Sequence, residues 1–210
     1  LGIGSYLEVS APVSKELGSI AFSTDGSVSF LTVTQDFGMG HATPFAQVLS
    51  ERLGVPFDKI RVMQGDSALL VTGGGSGGSK SIMSSGTAIV EAAAKVVERG
   101  KEIAAHVLEA AASDIEFRNG RFVIAGTDRA IGLPEIAALG REKDQPLDTF
   151  HAWTREHMTF PNGAHVVEVE VDRDTGRVVL ARYTAVDDSG VLRNPMVASG
   201  QAHGAMAQGA

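Results

Sequence analysis

Apolar residues recur at helical spacing over an unusually long stretch. Ile82, Ala88, Ile89, Ala92, Ala93, Val96, Val97, Ile103, Val107 and Leu108 carry the pattern, which predicts one helix from about Ser81 to about Ala112. A helix of that length needs an apolar partner along its stripe. With 210 residues, 43% of them hydrophobic, the chain can build that core as one large domain or two small lobes. Immediately ahead of the helix lies GGGSGGSKS, Gly73 to Ser81, and Ser84, Ser85 and Gly86 suggest close packing near its start.

The flanking segments read as strands and short helices. Gly18–Ser23 and Ser27–Thr34 are β-rich runs joined by Asp25-Gly26, a tight-hairpin dipeptide. The loop DFGMGHATPFAQ follows, in which Thr43 is placed to cap a helix with Pro44 at its first position. Phe45, Val48, Leu49 and Leu53 then recur until Gly54. Lys59–Gln64 reads as a strand, and Asn119-Gly120 between IEF and RFVI as a second hairpin. A small helix is expected around Pro134–Leu139, then a polar linker. His165–Val171 and Arg177–Asp187 form a third strand pair, leading through DDSGVLRNP to the small-residue segment from Met196. The order strand, turn, strand, loop, helix thus occurs twice. The expected division is a first lobe over 1–139, a linker over 140–159 and a second lobe over 160–210.

Composition excludes several classes. Asp and Glu number 25 against 18 Lys and Arg, a net charge of −7 without a basic cluster, so nucleic acid is not an expected partner. Cysteine is absent, which removes disulfides and thiolate chemistry and fits a reducing, cytoplasmic location. No apolar run reaches the ~20 residues of a membrane span. Leu1 opens the chain without a leader pattern, and MVASGQAHGAMAQGA is an unfinished one, so a piece of a longer protein is expected.

Individual motifs are ambiguous alone. Gly73-x-Gly75-x-x-Gly78 matches a dinucleotide fingerprint, but Glu98, at the distance where an acid should close the next strand, falls within the helical pattern. Gly78-Ser79-Lys80-Ser81 separates the Gly and Lys that a P-loop requires to be adjacent. Exposed amides ending at a helix start still suit an anion, and a flexible surface loop is the plainer reading. The six histidines lack metal-binding spacing. Glu168 and Glu170 alternate with valines as on a solvated strand face, and Asp187-Asp188 is a second acid pair. Gln201, His203 and Gln208 lie among glycines and alanines as ligand-facing or surface groups.

Together the blocks DGSVSFLTVTQDFGMGHATPFAQVLSERLGVPFDKIRVMQGDS, GGGSGGSKS and TFPNGAHVVEVEVDRDTGRVVLARYTAVDDSGVLRNPMVASGQAHGAMAQG resemble the molybdopterin-binding large subunit of the xanthine dehydrogenase, aldehyde oxidase and carbon monoxide dehydrogenase family, the molybdenum hydroxylases. The resemblance implies an α+β fold with mixed sheets, packed helices and strand-strand-loop-helix units repeated in two lobes. It implies a molybdenum–molybdopterin cofactor, in some members the cytosine dinucleotide form, and a small-molecule substrate oxidised with water-derived oxygen while electrons leave through iron–sulfur and FAD partners. The family's loop reads GQGH, so Gly38, Gly40 and His41 match by position and Met39 stands where the family has Gln. A thioether accepts hydrogen bonds weakly and donates none, so one pterin contact is lost or replaced by packing. Gly78, Ser79, Lys80 and Ser81 resemble the family's GSRS and are expected to face pterin or phosphates, Lys80 replacing Arg. Gln201 and Gln208 match family glutamines near the cofactor.

The catalytic glutamate of the family lies beyond Ala210 and its arginine-containing loop before Leu1, while the metal is held by the cofactor's dithiolene. No catalytic residue or protein metal ligand is therefore expected here, and the piece alone is expected to be inactive and empty of cofactor. Two other classes remain open at this level: a non-catalytic binding or assembly module, and a phosphate- or nucleotide-binding domain resting on the glycine run.

Overall fold

The computed structural model describes residues 1–10, 15–70, 73–154 and 156–210. In chain order the elements are β1 (Gly2–Leu7), β2 (Lys15–Phe22), β3 (Val28–Thr32), α1 (Ala42–Leu53), β4 (Ile60–Met63), α2 (Ser81–Leu108), β5 (Ile115–Arg118), β6 (Arg121–Ile124), β7 (Ala130–Gly132), α3 (Leu133–Glu142), β8 (Thr149–Thr154), β9 (Asn162–Val171), β10 (Val178–Asp188) and α4 (Pro195–Gly209). They form two compact units, one over 13–155 and the other from 1–12 with 156–210.

The unit over 13–155 is built on a sheet of order β4-β3-β2-β8, with β3 parallel to β4 and the other pairs antiparallel. Helices α1 and α2 pack against each other, and α2 also packs on β2 and β8. The long stripe predicted for α2 is buried as Ala88, Ile89, Ala92, Ala93, Val96, Ile103, Ala104 and Leu108, against Phe30, Phe45, Leu49 and Leu53. Each large apolar side chain so buried contributes about 1.5–3 kcal/mol. A second antiparallel sheet, β5-β6-β7, meets α2 at Gly100, where an added Cβ would overlap the Phe122 ring. Helix α3 starts at Leu133 with Pro134 in its first turn, and the Glu135 carboxylate accepts the Gly132 N–H at 2.9 Å.

The other unit is the antiparallel sheet β1-β9-β10 followed by α4, whose first turn carries Pro195 and is capped by Asn194 Oδ1 accepting the Val197 N–H at 2.9 Å. The expected α+β class and repeated order hold: β2-β3-loop-α1 in one unit, β9-β10-loop-α4 in the other.

Three boundaries differ from expectation. Helix α1 begins at Ala42 with His41 at the cap, so Thr43 lies inside the first turn. Helix α2 stops at Leu108 because Glu109 takes the left-handed conformation, φ 52°. The polar stretch from Gly140 is no linker: it finishes α3, buries Leu147 and enters β8 beside β2. Arg141 Nη1 donates to the Phe22 carbonyl at 3.0 Å, and Asp148 Oδ1 accepts the Phe22 N–H at 3.1 Å, tying both ends of that stretch to β2. Strand β1, assigned by position to the first lobe, pairs with β9 instead.

Candidate functional site

The β3–α1 loop is organised from within by Asp36. Its Oδ1 accepts the N–H groups of Gly38 at 2.8 Å and Gly40 at 3.2 Å, and its Oδ2 that of His41 at 2.8 Å. Burial pushes this carboxyl up, but the amide bonds of Gly38, His41, Gly40 and Met39 outweigh it and hold the group below its ordinary value. Gly38 and Gly40 sit at φ 109° and 76°, which their missing Cβ permits. In a planar trans peptide the carbonyl opposes the N–H, so the carbonyls of Phe37, Met39 and Gly40 point away from Asp36. The loop therefore offers acceptors outward, with Met39 half-buried among them.

His41 ends the loop with its ring stacked on Phe45, centroids 5.4 Å apart. Burial lowers its pKa against the upward pull of Asp36 and the Gln35 carbonyl, so a neutral imidazole is favoured. Its Nδ1 is buried without a hydrogen-bond partner, and Gln64 Oε1 at the end of the neighbouring strand is in the same condition. Buried polar atoms of this kind mark groups that a ligand or water satisfies.

The glycine run lies against this loop. Gly73 packs so closely on Val33 that a Cβ there would overlap it, and Ser76 Oγ donates to the Gln35 carbonyl. A pocket of about 350 Å³ opens at the junction, lined by Val33, Gln35, Asp66, Leu70, Gly73 and Gly75 among others. Gly78 and Ser79 then turn through left-handed conformations, φ 60° and 53°, into the first residue of α2, Ser81. Lys80 does not extend outward from this turn but is 3% exposed. Its charge acts on Glu16, which is 1% exposed and accepts from Thr34 Oγ1 at 3.2 Å and Thr32 Oγ1 at 3.4 Å. Ser85 of α2 completes the cluster, donating to Thr34 Oγ1 at 2.8 Å and sharing a hydrogen bond with Thr32 Oγ1 at 3.2 Å.

Of the ten positions singled out in the sequence, Gly38, Met39, Gly40, His41, Gly78, Ser79, Lys80 and Ser81 occur on two loops that touch. Gln201 and Gln208 are exposed on α4, in the other unit. Sequence reasoning missed Asp36, although an Asp two residues ahead of Gly is a turn signal. It also missed Glu16, which looks like an ordinary strand-edge charge. A further cluster crosses the β1-β9-β10 sheet. Tyr6 donates to Asp187 Oδ1 at 2.8 Å, His165 Nε2 lies 3.0 Å from the same oxygen, and His165 Nδ1 lies 2.9 Å from the Tyr183 hydroxyl. Among the described residues no group of three or more His, Cys, Asp or Glu could hold a metal, and no helix is long and apolar enough to cross a membrane.

The residues present suit a polar heterocycle better than a protein-ligated metal: the two loops carry outward acceptors, an unsatisfied His41 Nδ1 and an amide-rich turn, and among the described residues no metal-binding set. Known proteins resemble the chain over most or all of its length. The chain is 34% identical over 184 residues to the carbon monoxide dehydrogenase large chain of Hydrogenophaga pseudoflava, covering 85% of this chain and 23% of that one. It is 32% identical over 216 residues to the gamma subunit of the 6-hydroxypseudooxynicotine dehydrogenase complex of Paenarthrobacter nicotinovorans, covering all of this chain and 27% of that one. The solved structure of reconstituted CO dehydrogenase from Oligotropha carboxidovorans superposes with a TM-score of 0.88 at 30% identity, over 97% of this chain and 27% of that one. The chain thus spans about a quarter of the length of these relatives. The family model for the molybdopterin cofactor-binding domain matches residues 1–210, and the chain belongs to that family.

Proposed function

We propose that this chain is the part of a molybdenum hydroxylase large subunit that seats the pterin of the cofactor between the Gly38–His41 loop and the Gly78–Ser81 turn. The observation that carries this reading is the contact between the two loops, closed by Ser76 on the Gln35 carbonyl, beside the unpartnered His41 Nδ1. The carbonyls of Phe37, Met39 and Gly40 would be available to accept from donor groups of the pterin, and the neutral imidazole of His41 would supply one more polar contact. The amides of the first turn of α2, which lack intrahelical acceptors, would suit an anionic part of the cofactor. When bound, the cofactor supplies the redox centre at which water-derived oxygen is transferred to substrate. In the whole protein, electrons would leave through iron–sulfur and FAD partners, in the cytoplasm, with the cofactor in its cytosine dinucleotide form.

The test is molybdenum content and extracted pterin in the full-length polypeptide from molybdenum-replete cells. One molybdenum per chain is expected, with loss of occupancy in His41→Ala. A wild-type polypeptide devoid of both metal and pterin would overturn the reading, and chromatography of the extract distinguishes the dinucleotide from the mononucleotide.

A further inference from the structure

We propose that Lys80 is a positioning residue and not a cofactor ligand: buried at the head of α2, where its charge acts on the equally buried Glu16, it holds the Gly-rich turn in its ligand-ready shape from behind. The residues match by position the family's cofactor-facing motif, yet this side chain is 3% exposed, whereas Gly78 and Ser79 beside it are exposed. Ser79 is a non-glycine residue in the left-handed region, a conformation that persists where the surroundings impose it. A buried cationic side chain immediately after Ser79 is such an imposition, since withdrawing it would remove the one charge that acts on the buried Glu16 and leave that carboxyl its hydroxyl donors only.

Glu16 is the other half of the device. Among the described residues, the groups acting on it are Thr32 at the end of β3, Thr34 two residues beyond it, Ser85 from α2 and Lys80 at the head of α2, of which Lys80 is the one charge. Burial raises its pKa, and Thr34, Lys80, Ser85 and Thr32 draw it partly back. The carboxylate thus links β2, β3 and α2 around a single polar centre, and the turn at Gly78-Ser79 is the chain's entry to that centre. What the turn presents to a ligand is then its backbone and the Ser79 and Ser81 hydroxyls.

Nothing in this placement requires the cofactor, and only the metal-occupancy arm below rests on the proposed function. Amide-exchange protection of residues 73–81 would be measured in full-length polypeptide prepared without cofactor, for wild type, Lys80→Met, Lys80→Arg, Glu16→Gln and Glu16→Gln/Lys80→Met. Lys80→Met is expected to lower protection there by about tenfold or more at about pH 8, and by less at about pH 5, since burial raises the Glu16 carboxyl and acid favours its neutral form. Lys80→Arg keeps the charge and retains protection. The double variant, with neither charge left to bury, recovers protection and loses its pH dependence. Should Lys80→Met fail to fold, Glu16→Gln carries the test, through loss of pH dependence at 73–81 alone. Unchanged protection in Lys80→Met, or equal loss at both pH values, overturns the proposal. Unchanged protection joined to lost molybdenum occupancy would make Lys80 a ligand after all. If occupancy is absent in every form, the cofactor reading fails while the exchange result still decides the placement.

Discussion

Asp36 decides what the β3–α1 loop can offer a ligand, because one carboxylate consumes the amides of Gly38, Gly40 and His41. Its folded pKa lies below the ordinary value, so its contribution to stability is present above the unfolded value of about 3.9 and is lost as pH falls through the folded value. Asp36→Asn should therefore lower Tm near neutral pH and shrink that difference in acid, as read by thermal melts across pH; equal differences at all pH values would remove the charge from the account. Met39 is the second decisive residue. Met39→Gln restores a donor and an acceptor, and a net hydrogen bond of about 0.5–1.5 kcal/mol predicts up to roughly tenfold better cofactor retention, counted as molybdenum per chain at limiting cofactor. In the β1-β9-β10 sheet, partial desolvation of the hydroxyl of the otherwise exposed Tyr6 and then its bond to Asp187 push its pKa up to about 12. In a Tyr183→Phe background, Asp187→Asn should move the Tyr6 ultraviolet titration midpoint downward yet leave it above about 10, since the partial desolvation of the hydroxyl remains. An unmoved midpoint would mean that the hydrogen bond does not act on the phenol.

At the scale of elements, α2 is the piece around which the larger unit is arranged, touching α1, α3, β2, β8 and the small sheet. Its interior glycine is explained by distance of approach: Gly100 lets the helix backbone close on Phe122. Although alanine is the better helix former, Gly100→Ala should destabilise by about 1–3 kcal/mol, as overpacking does, measured by denaturant unfolding; a stabilised variant would show that the ring simply moves aside. Periodicity revealed α1, α2 and α3 because each buries a stripe of its own. It did not reveal β8, where Thr149, His151 and Trp153 face inward while Phe150 is exposed, so hydrophobicity runs out of phase with burial. Nor did it reveal β1, all six of whose residues are exposed, leaving no alternation to read.

For the whole molecule, the buried apolar core from Leu17 to Leu147 belongs, among the described residues, to the unit over 13–155. The other unit keeps Val169, Val171, Val178, Val179, Leu180 and Val186 exposed and buries no residue of α4. Amide exchange of the 210-residue chain should accordingly show strong protection in α1, α2, β2 and β3 and weak protection in β1, β9, β10 and α4, because local stability follows buried apolar contact. Comparable protection in both sets would contradict that account. The sequence alone determined the helices, the three hairpins and the two glycine loops, because turn chemistry and amphipathic spacing act between near neighbours and leave their marks locally. Its three ordered blocks also sufficed to indicate the family. Only the tertiary structure decided that β3 runs parallel to β4, that β1 joins β9 and that the stretch after Gly140 closes a sheet. It also buried Lys80 and Glu16, the charge of the first acting on the second, since whether a side chain is buried is decided by residues far off in sequence.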